Sequence, residues 1–241
     1  MIGIIFIAVA IALSAGSIGA SILFALSYAA RSLRWALLSS GGARDMCLSH
    51  RSYDLYVLPA LIAEPLRAKR LGRPAGQAVA WMAWERALDA MTFAGIAAML
   101  IGGSIIGIVS GVSILLVAWA LSKVKINLKF FRDLRSAKPP GIEKIVASVA
   151  LTTVFWLLQL WAGEAIIGHG TMKLMATALA VSFAVPIPMG LGAMEAVFMT
   201  KMPFIKALES AMAYRLSMFG TQFFLSWLMK KPCQNKEKGT S

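Results

Sequence analysis

Acidic residues are scarce in this 241-residue chain, with 11 Asp and Glu against 24 Lys and Arg and a formal net charge of +13. Charges of both signs together make up only 15% of the residues. A soluble domain carries about 25%, so an ordinary soluble enzyme is excluded. Cysteine and histidine are almost missing, at two each. Cys47 and Cys233 both stand in basic segments, so reduced thiols are expected and no disulfide framework. His50 and His169 lie in different loops without a Cys/His cluster around either, so no zinc, haem or other cofactor is expected. The chain contains no GxGxxG, P-loop or GxSxG, and its Ser and Thr residues have no paired histidine to serve as a base. No catalytic residue and no metal ligand is predicted.

What is abundant is apolar surface. Hydrophobic side chains make up 59% of the chain, mean hydropathy is +0.73, and apolar runs of about 20 residues recur, each long enough to cross a bilayer. The expected fold class is therefore an all-α polytopic membrane protein with about six transmembrane helices. The basic residues fall between these runs: four in 31–54, four in 64–74, seven in 123–144 and four in 230–241. Short loops rich in Lys and Arg stay on the cytoplasmic side, so the positive charge reports orientation. It predicts contact with anionic lipid headgroups at the cytoplasmic face and no nucleic-acid partner.

Residues 2–30 form an uncharged apolar run, too long and without the basic start of a cleaved signal peptide. It ends in Arg31-Ser-Leu-Arg34-Trp35, which reads as a basic-aromatic interfacial anchor. Residues 55–63 are apolar but too short to span, and Pro59 and Pro65 mark them as a re-entrant, broken element. Spans are expected at 75–101 and 104–122, with Gly102-Gly103 as the outer turn. A basic cytoplasmic loop covers 123–144, and 145–168 spans again. Residues 172–200 are interrupted by Pro186-Ile-Pro188-Met-Gly190-Leu-Gly192. Treated as a re-entrant pair of half-helices, they put Gly168–Gly170 outside and the tail after the last span, 204–229, inside. Residues 1–230 then make a single transmembrane domain, and 231–241 a short basic cytoplasmic tail.

An inverted repeat follows from this topology. Span 2–30, a broken element and span 75–101 make one unit. Span 145–168, a broken element and span 204–229 make the other, in opposite orientation. Each broken element carries a glutamate, Glu64 or Glu195. Each following span carries an arginine twelve residues after a proline: Pro74 to Arg86 and Pro203 to Arg215. Secondary transporters place their site at such a repeat interface.

Particular motifs sharpen this reading. Leu58-Pro59-Ala-Leu-Ile-Ala-Glu64-Pro-Leu-Arg67, Glu85-Arg86-Ala-Leu-Asp89, Pro186-Ile-Pro188-Met-Gly190-Leu-Gly192-Ala-Met-Glu195 and Tyr214-Arg215 occur in this order. Together they resemble the motifs of the lysylphosphatidylglycerol synthase transmembrane region, a flippase-like membrane family, over roughly residues 31–229. Two features depart from that pattern. Ala63 stands where the family has glycine before its first glutamate; one fewer amino-terminal helix and no soluble aminoacyltransferase domain are expected in these 241 residues, so lysyl transfer is not carried over. The resemblance implies translocation of a phospholipid or lipid-linked molecule between the leaflets of the plasma (inner) membrane.

The substrate-binding candidates are Glu64, Arg67, Arg86, Asp89, Gly190, Gly192, Glu195 and Arg215. Ionisable groups at bilayer depth face an interior or a wet cavity. Helical spacing puts Glu85, Arg86 and Asp89 on one face, where an Arg86–Asp89 pair could simply neutralise the helix. In the functional reading, Arg86 and Arg215 grip phosphate oxygens, and Glu64 and Glu195 balance them in the empty state. Two alternatives stay open: an intramembrane lipid-modifying transferase with Glu64 or Glu195 as base, and a scaffold in a lipid or cell-envelope synthesis complex.

Overall fold

In a computed structural model of the chain, residues 18–39, 42–52, 66–67, 70, 75–101, 141–184 and 192–228 are described. The expected short element at 55–63, Glu64, the span at 104–122, the loop up to 140, the Pro186–Gly190 break and the basic tail lie outside them. The described residues are helical, with no strand among them. Among the described residues seven helices are found: α1 Ile18–Ser39, α2 Gly42–Arg51, α3 Ala75–Ile101, α4 Ile142–Ile167, α5 Met172–Ala184, α6 Ala193–Met199 and α7 Phe204–Leu228. Among the described residues one helix, α4, is both long and apolar enough to cross a membrane.

Glycine and proline set several of these boundaries. Gly168 ends α4 at φ 126°, its N–H bonded to the Glu164 carbonyl at 2.8 Å. The Glu164 carboxylate then accepts the Gly170 N–H at 2.7 Å and closes the turn into α5. Gly192 opens α6 at φ 82°, a conformation that a Cβ would strain. Pro203 precedes α7, where its missing N–H costs no helical bond and its carbonyl accepts from Ala207 at 2.9 Å.

The core is built around an antiparallel seam of α1 on α4. Arg34 bonds Thr152, the Arg31 guanidinium lies over the Phe155 ring at 5.3 Å, and Gln159 bonds Ser27. Positions descend one helix by threes and fours as they climb the other. The buried stripe on α1 is Ala20, Phe24, Ser27, Arg31, Arg34 and Leu38; on α4 it is Ser148, Thr152, Phe155, Gln159 and Ala162. That 3.5-residue repeat is the seam of a left-handed helix pair. Around it α3 packs on α4 and α5, α6 lies between α5 and α7, and α7 rests on α1 and α4. Aromatic contacts fill the centre: Phe24 meets Tyr214 edge-on at 5.3 Å, and Phe93 meets Trp156 at 4.6 Å. Each such ring buried is worth roughly 2–3 kcal/mol.

The outer faces carry large apolar side chains. Ile18, Ile22 and Leu26 of α1, Ile142, Val146 and Trp161 of α4, and Phe204, Ile205 and Trp227 of α7 are all exposed. Among the described residues Arg31, Arg34, Arg67, Glu85, Asp89 and Arg215 are nevertheless buried, which is unusual for charged side chains, whereas Arg86, Glu143, Lys173, Lys201, Lys206 and Glu209 are exposed. This arrangement corrects one expectation. Residues 31–39 are not a loop with an interfacial anchor: α1 runs through them, and Arg31, Arg34 and Trp35 are buried. The heptad stripe that begins at Ala20 continues through both arginines, so their side chains turn inward. A second correction concerns sulfur. Cys47 is disulfide-bonded, not a reduced thiol; the other cysteine, Cys233, lies outside the described residues.

Candidate functional site

The largest concentration of buried charge sits between α1, α3, α4 and the segment around Arg67. On α3 the buried face reads Glu85, Asp89, Phe93 and Ala97, one residue per turn. Its apolar half locks the helix against the core, and its acidic half meets the arginines of α1. Glu85, fully buried, accepts from Arg31 Nε at 3.2 Å, Arg34 Nη2 at 2.9 Å and Arg67 Nη1 at 2.6 Å. Asp89 accepts from Arg34 Nη1 at 2.5 Å and Arg31 Nη2 at 3.4 Å. Arg34 Nη1 also reaches Thr152 Oγ1 at 2.6 Å, and Thr152 in turn donates to the Ser148 carbonyl. The Arg67 guanidinium lies over the Trp35 ring at 4.7 Å. Glu85 and Thr152 each stand ten residues into their helices, roughly 15 Å from the helix start, which is half the thickness of a bilayer's hydrocarbon core.

A second charged site joins α6 to α7. Arg215 grips Glu195 with both terminal nitrogens, Nη2 to Oε2 at 2.9 Å and Nη1 to Oε1. Glu195 Oε2 also accepts the Gly192 N–H at 2.9 Å and so caps the amino end of α6. Next to Arg215, Tyr214 donates to Gln159 Oε1 at 2.9 Å, and Gln159 Nε2 donates to Ser27 Oγ at 2.8 Å. Gln222 Nε2 donates to the Tyr28 hydroxyl at 2.5 Å. Ser27 and Arg31 are one turn apart on α1, so this polar belt continues from the three-arginine cluster toward α7.

Of the residues singled out from sequence, Arg67 and Asp89 lie in the first cluster; Gly192, Glu195 and Arg215 make the second. Glu64 and Gly190 lie outside the described residues. Arg86 corrects the expectation that Glu85, Arg86 and Asp89 share one inward face. Glu85 and Asp89 are buried, whereas Arg86 is exposed, because one residue's step turns it about 100° from Glu85. Asp89 is bonded to the arginines of α1, across the interface and not within its own helix. Arg31, Arg34, Glu85 and Thr152 were not among the candidates. The signal for the two arginines was the unbroken 3–4 spacing from Phe24 through Ser27.

No cluster of three or more His, Cys, Asp and Glu residues able to hold a metal occurs among the described residues. What the site offers is a set of forked guanidinium donors in a closed interior, suited to oxyanions and not to nucleophilic chemistry. Comparison with known proteins finds no family model, no curated protein and no solved structure that matches the chain.

Proposed function

We propose that the chain is a multi-pass protein of the plasma (inner) membrane that moves a phospholipid or lipid-linked molecule between leaflets, in the manner of the flippase-like family its motifs resemble. The observation that carries this reading is a charged cluster buried within a bundle that exposes large apolar side chains. Large apolar side chains of α1, α4 and α7 are exposed, while Arg31, Arg34 and Arg67 are buried with Glu85 and Asp89, Glu85 standing about 15 Å into α3. Charges at that depth are expensive and belong to a substrate or ion path. The polar belt of Ser27, Gln159, Tyr214, Tyr28 and Gln222 continues the path, offering a headgroup successive hydrogen-bonding partners while acyl chains stay against the apolar exterior.

Six spans and an inverted repeat belong to the proposal. Its support is a recurring ion pair: each broken element is tied to the helix that follows it, Arg67 to Glu85 and Glu195 to Arg215. The signs are exchanged between the two units. The basic segment 123–144 and the tail are then cytoplasmic, and Gly168–Gly170 lies outside. The Cys47 disulfide argues for the opposite orientation of α2, since such bonds persist in oxidising compartments. Labelling of single cysteines introduced at 130 and 169 with an impermeant maleimide decides the orientation; protection at 130 and reaction at 169 are expected.

The functional test is reconstitution in vesicles that carry a fluorescent phospholipid quenchable from outside. Complete quenching supports transfer between leaflets. Half-quenching with the lipid intact refutes it and leaves a scaffold. A chemically altered lipid points to a transferase.

A further inference from the structure

We propose that Arg31, Arg34 and Arg67 form a binding site for a phosphate group, with Glu85 and Asp89 as internal counter-ions that the phosphate oxygens displace. The proposal deepens the transport reading and rests on it for the source of the ligand, but the chemistry is fixed by the donors. Two buried N–H groups inside the cluster, Arg34 Nε and Trp35 Nε1, have no hydrogen-bond partner among the described residues. Both belong to fully buried side chains: Arg34 is bonded to Glu85 and Asp89, and Trp35 packs face-on against the Arg67 guanidinium. A buried donor left unsatisfied costs about 1–3 kcal/mol, so a network that keeps two of them is short of acceptors.

The cluster also brings three guanidiniums together around Glu85 and Asp89. A further cation would bring no acceptor to the Arg34 and Trp35 donors, whereas an oxyanion supplies acceptors. Phosphate fits better than another carboxylate, because it offers up to four acceptor oxygens in a tetrahedral array to forks arriving from different segments. The arginine fork matches such oxygens two at a time. Glu85 and Asp89 hold the forks in position while the site is empty, so that no guanidinium is left bare in a low-dielectric interior.

The experiment uses the full chain purified in detergent, with inorganic phosphate and dihexanoyl phosphatidic acid as probes and dihexanoylglycerol as the phosphate-free control. Melting temperature and tryptophan emission are followed, with Trp35→Phe identifying the part of the emission that reports on the cluster. A saturable rise in melting temperature with a phosphate-bearing probe and none with dihexanoylglycerol is expected. Binding of both probes in competition identifies phosphate itself as sufficient; binding of the lipid alone identifies a headgroup. Arg34→Lys weakens binding roughly tenfold, about the worth of one charge-assisted hydrogen bond. Glu85→Gln tightens it by a similar factor, because a competing anion is gone; Asp89→Asn serves if Glu85→Gln does not fold. A purely structural ion cluster gives no such gain.

No saturable response to either phosphate probe in wild type and in the carboxylate variant overturns the site, as does unchanged affinity in Arg34→Lys. Absent binding with lipid exchange intact overturns the site and leaves the transporter. Binding without exchange keeps the site and overturns the transporter.

Discussion

Glu85 is the residue on which the first cluster turns, and Glu85→Gln tests that most directly. The substitution keeps the side chain's shape and one acceptor oxygen but removes the charge shared by Arg31, Arg34 and Arg67 at 3.2, 2.9 and 2.6 Å. Removing one partner of a buried ion pair costs about 3–5 kcal/mol, because the remaining charge is left uncompensated. For a chain of this size each kcal/mol is worth roughly 2–4 °C, so the melting temperature should fall by roughly 6–20 °C in detergent. Asp89→Asn removes a carboxylate with two arginine partners, one of them distant at 3.4 Å, and should cost less. Combining Glu85→Gln with Arg67→Met removes a cation together with the anion. The double variant should therefore be more stable than the sum of the single losses predicts, by 1.5 kcal/mol or so of coupling. A melting temperature within about 1 °C of wild type for Glu85→Gln would refute the reasoning, and so would strict additivity.

Other perturbations probe the packing around the cluster. A Cβ at Gly163 would lie 2.7 Å from Cγ of the buried Met175. Gly163→Ala should therefore lower stability by about 1–3 kcal/mol, and the penalty should vanish in a Met175→Ala background, as thermal melting would show. Gln159→Leu strands the Tyr214 hydroxyl, while Ser27 Oγ loses one donor but keeps its bond to the Phe24 carbonyl, at about 1–3 kcal/mol; adding Tyr214→Phe should recover part of that loss. His50, in the short helix α2 outside the proposed spans, has its pKa lowered by burial to about 4, a hydrogen bond with the Met46 backbone pulling the other way. The unfolded imidazole protonates near 6.5 and the folded one does not. Its stabilisation is thus fully present above that value and drains away as pH falls toward 4, by ~3 kcal/mol at most. His50→Asn should flatten this stretch of a melting-temperature profile against pH.

Helix placement was legible where the chain punctuates itself. As helices, though not as membrane spans, the expected 75–101 coincides with α3 and 204–229 with α7 to within a residue, because proline precedes each start. The start of α6 at Ala193, directly after Gly192 at φ 82°, was also legible, while the Pro186–Gly190 run before it lies outside the described residues. The site was harder to read. Arg31 and Arg34 follow a long uncharged run, and charge after such a run suggests a membrane boundary. Only their phase relative to Ala20, Phe24 and Ser27 tells that they face inward, and that phase has meaning only once α4 supplies Thr152 and Gln159 opposite. Arg86 was misplaced for a related reason. Spacing of i, i+3 shows that two side chains are near each other, but not which of them the core claims. Phe93 and Ala97 decide that, since they extend the line of Glu85 and Asp89 and leave Arg86 outside.

The energetics of the cluster bear on its purpose. Insertion scales put an arginine or aspartate at mid-bilayer at about 2.5–3.5 kcal/mol each, so in the membrane setting proposed above five such groups would cost more than ~10 kcal/mol before pairing recovers any of it. Well-packed apolar side chains of similar volume often replace a buried ion network at no loss, or with a gain of about 1–4 kcal/mol. If stability were the cluster's purpose, a simpler interior would serve it better. This gives a last prediction, in which stability and activity part company. Replacing the whole network at once, with Met at Arg31 and Arg67 and Leu at Arg34, Glu85 and Asp89, should leave the melting temperature at or above that of wild type. Lipid exchange in vesicles should be abolished. Exchange at the wild-type rate in this variant would show the buried charges to be idle, and collapse of the fold would show that they hold the helices in register. Only a stable, inactive protein is consistent with charges kept for the substrate.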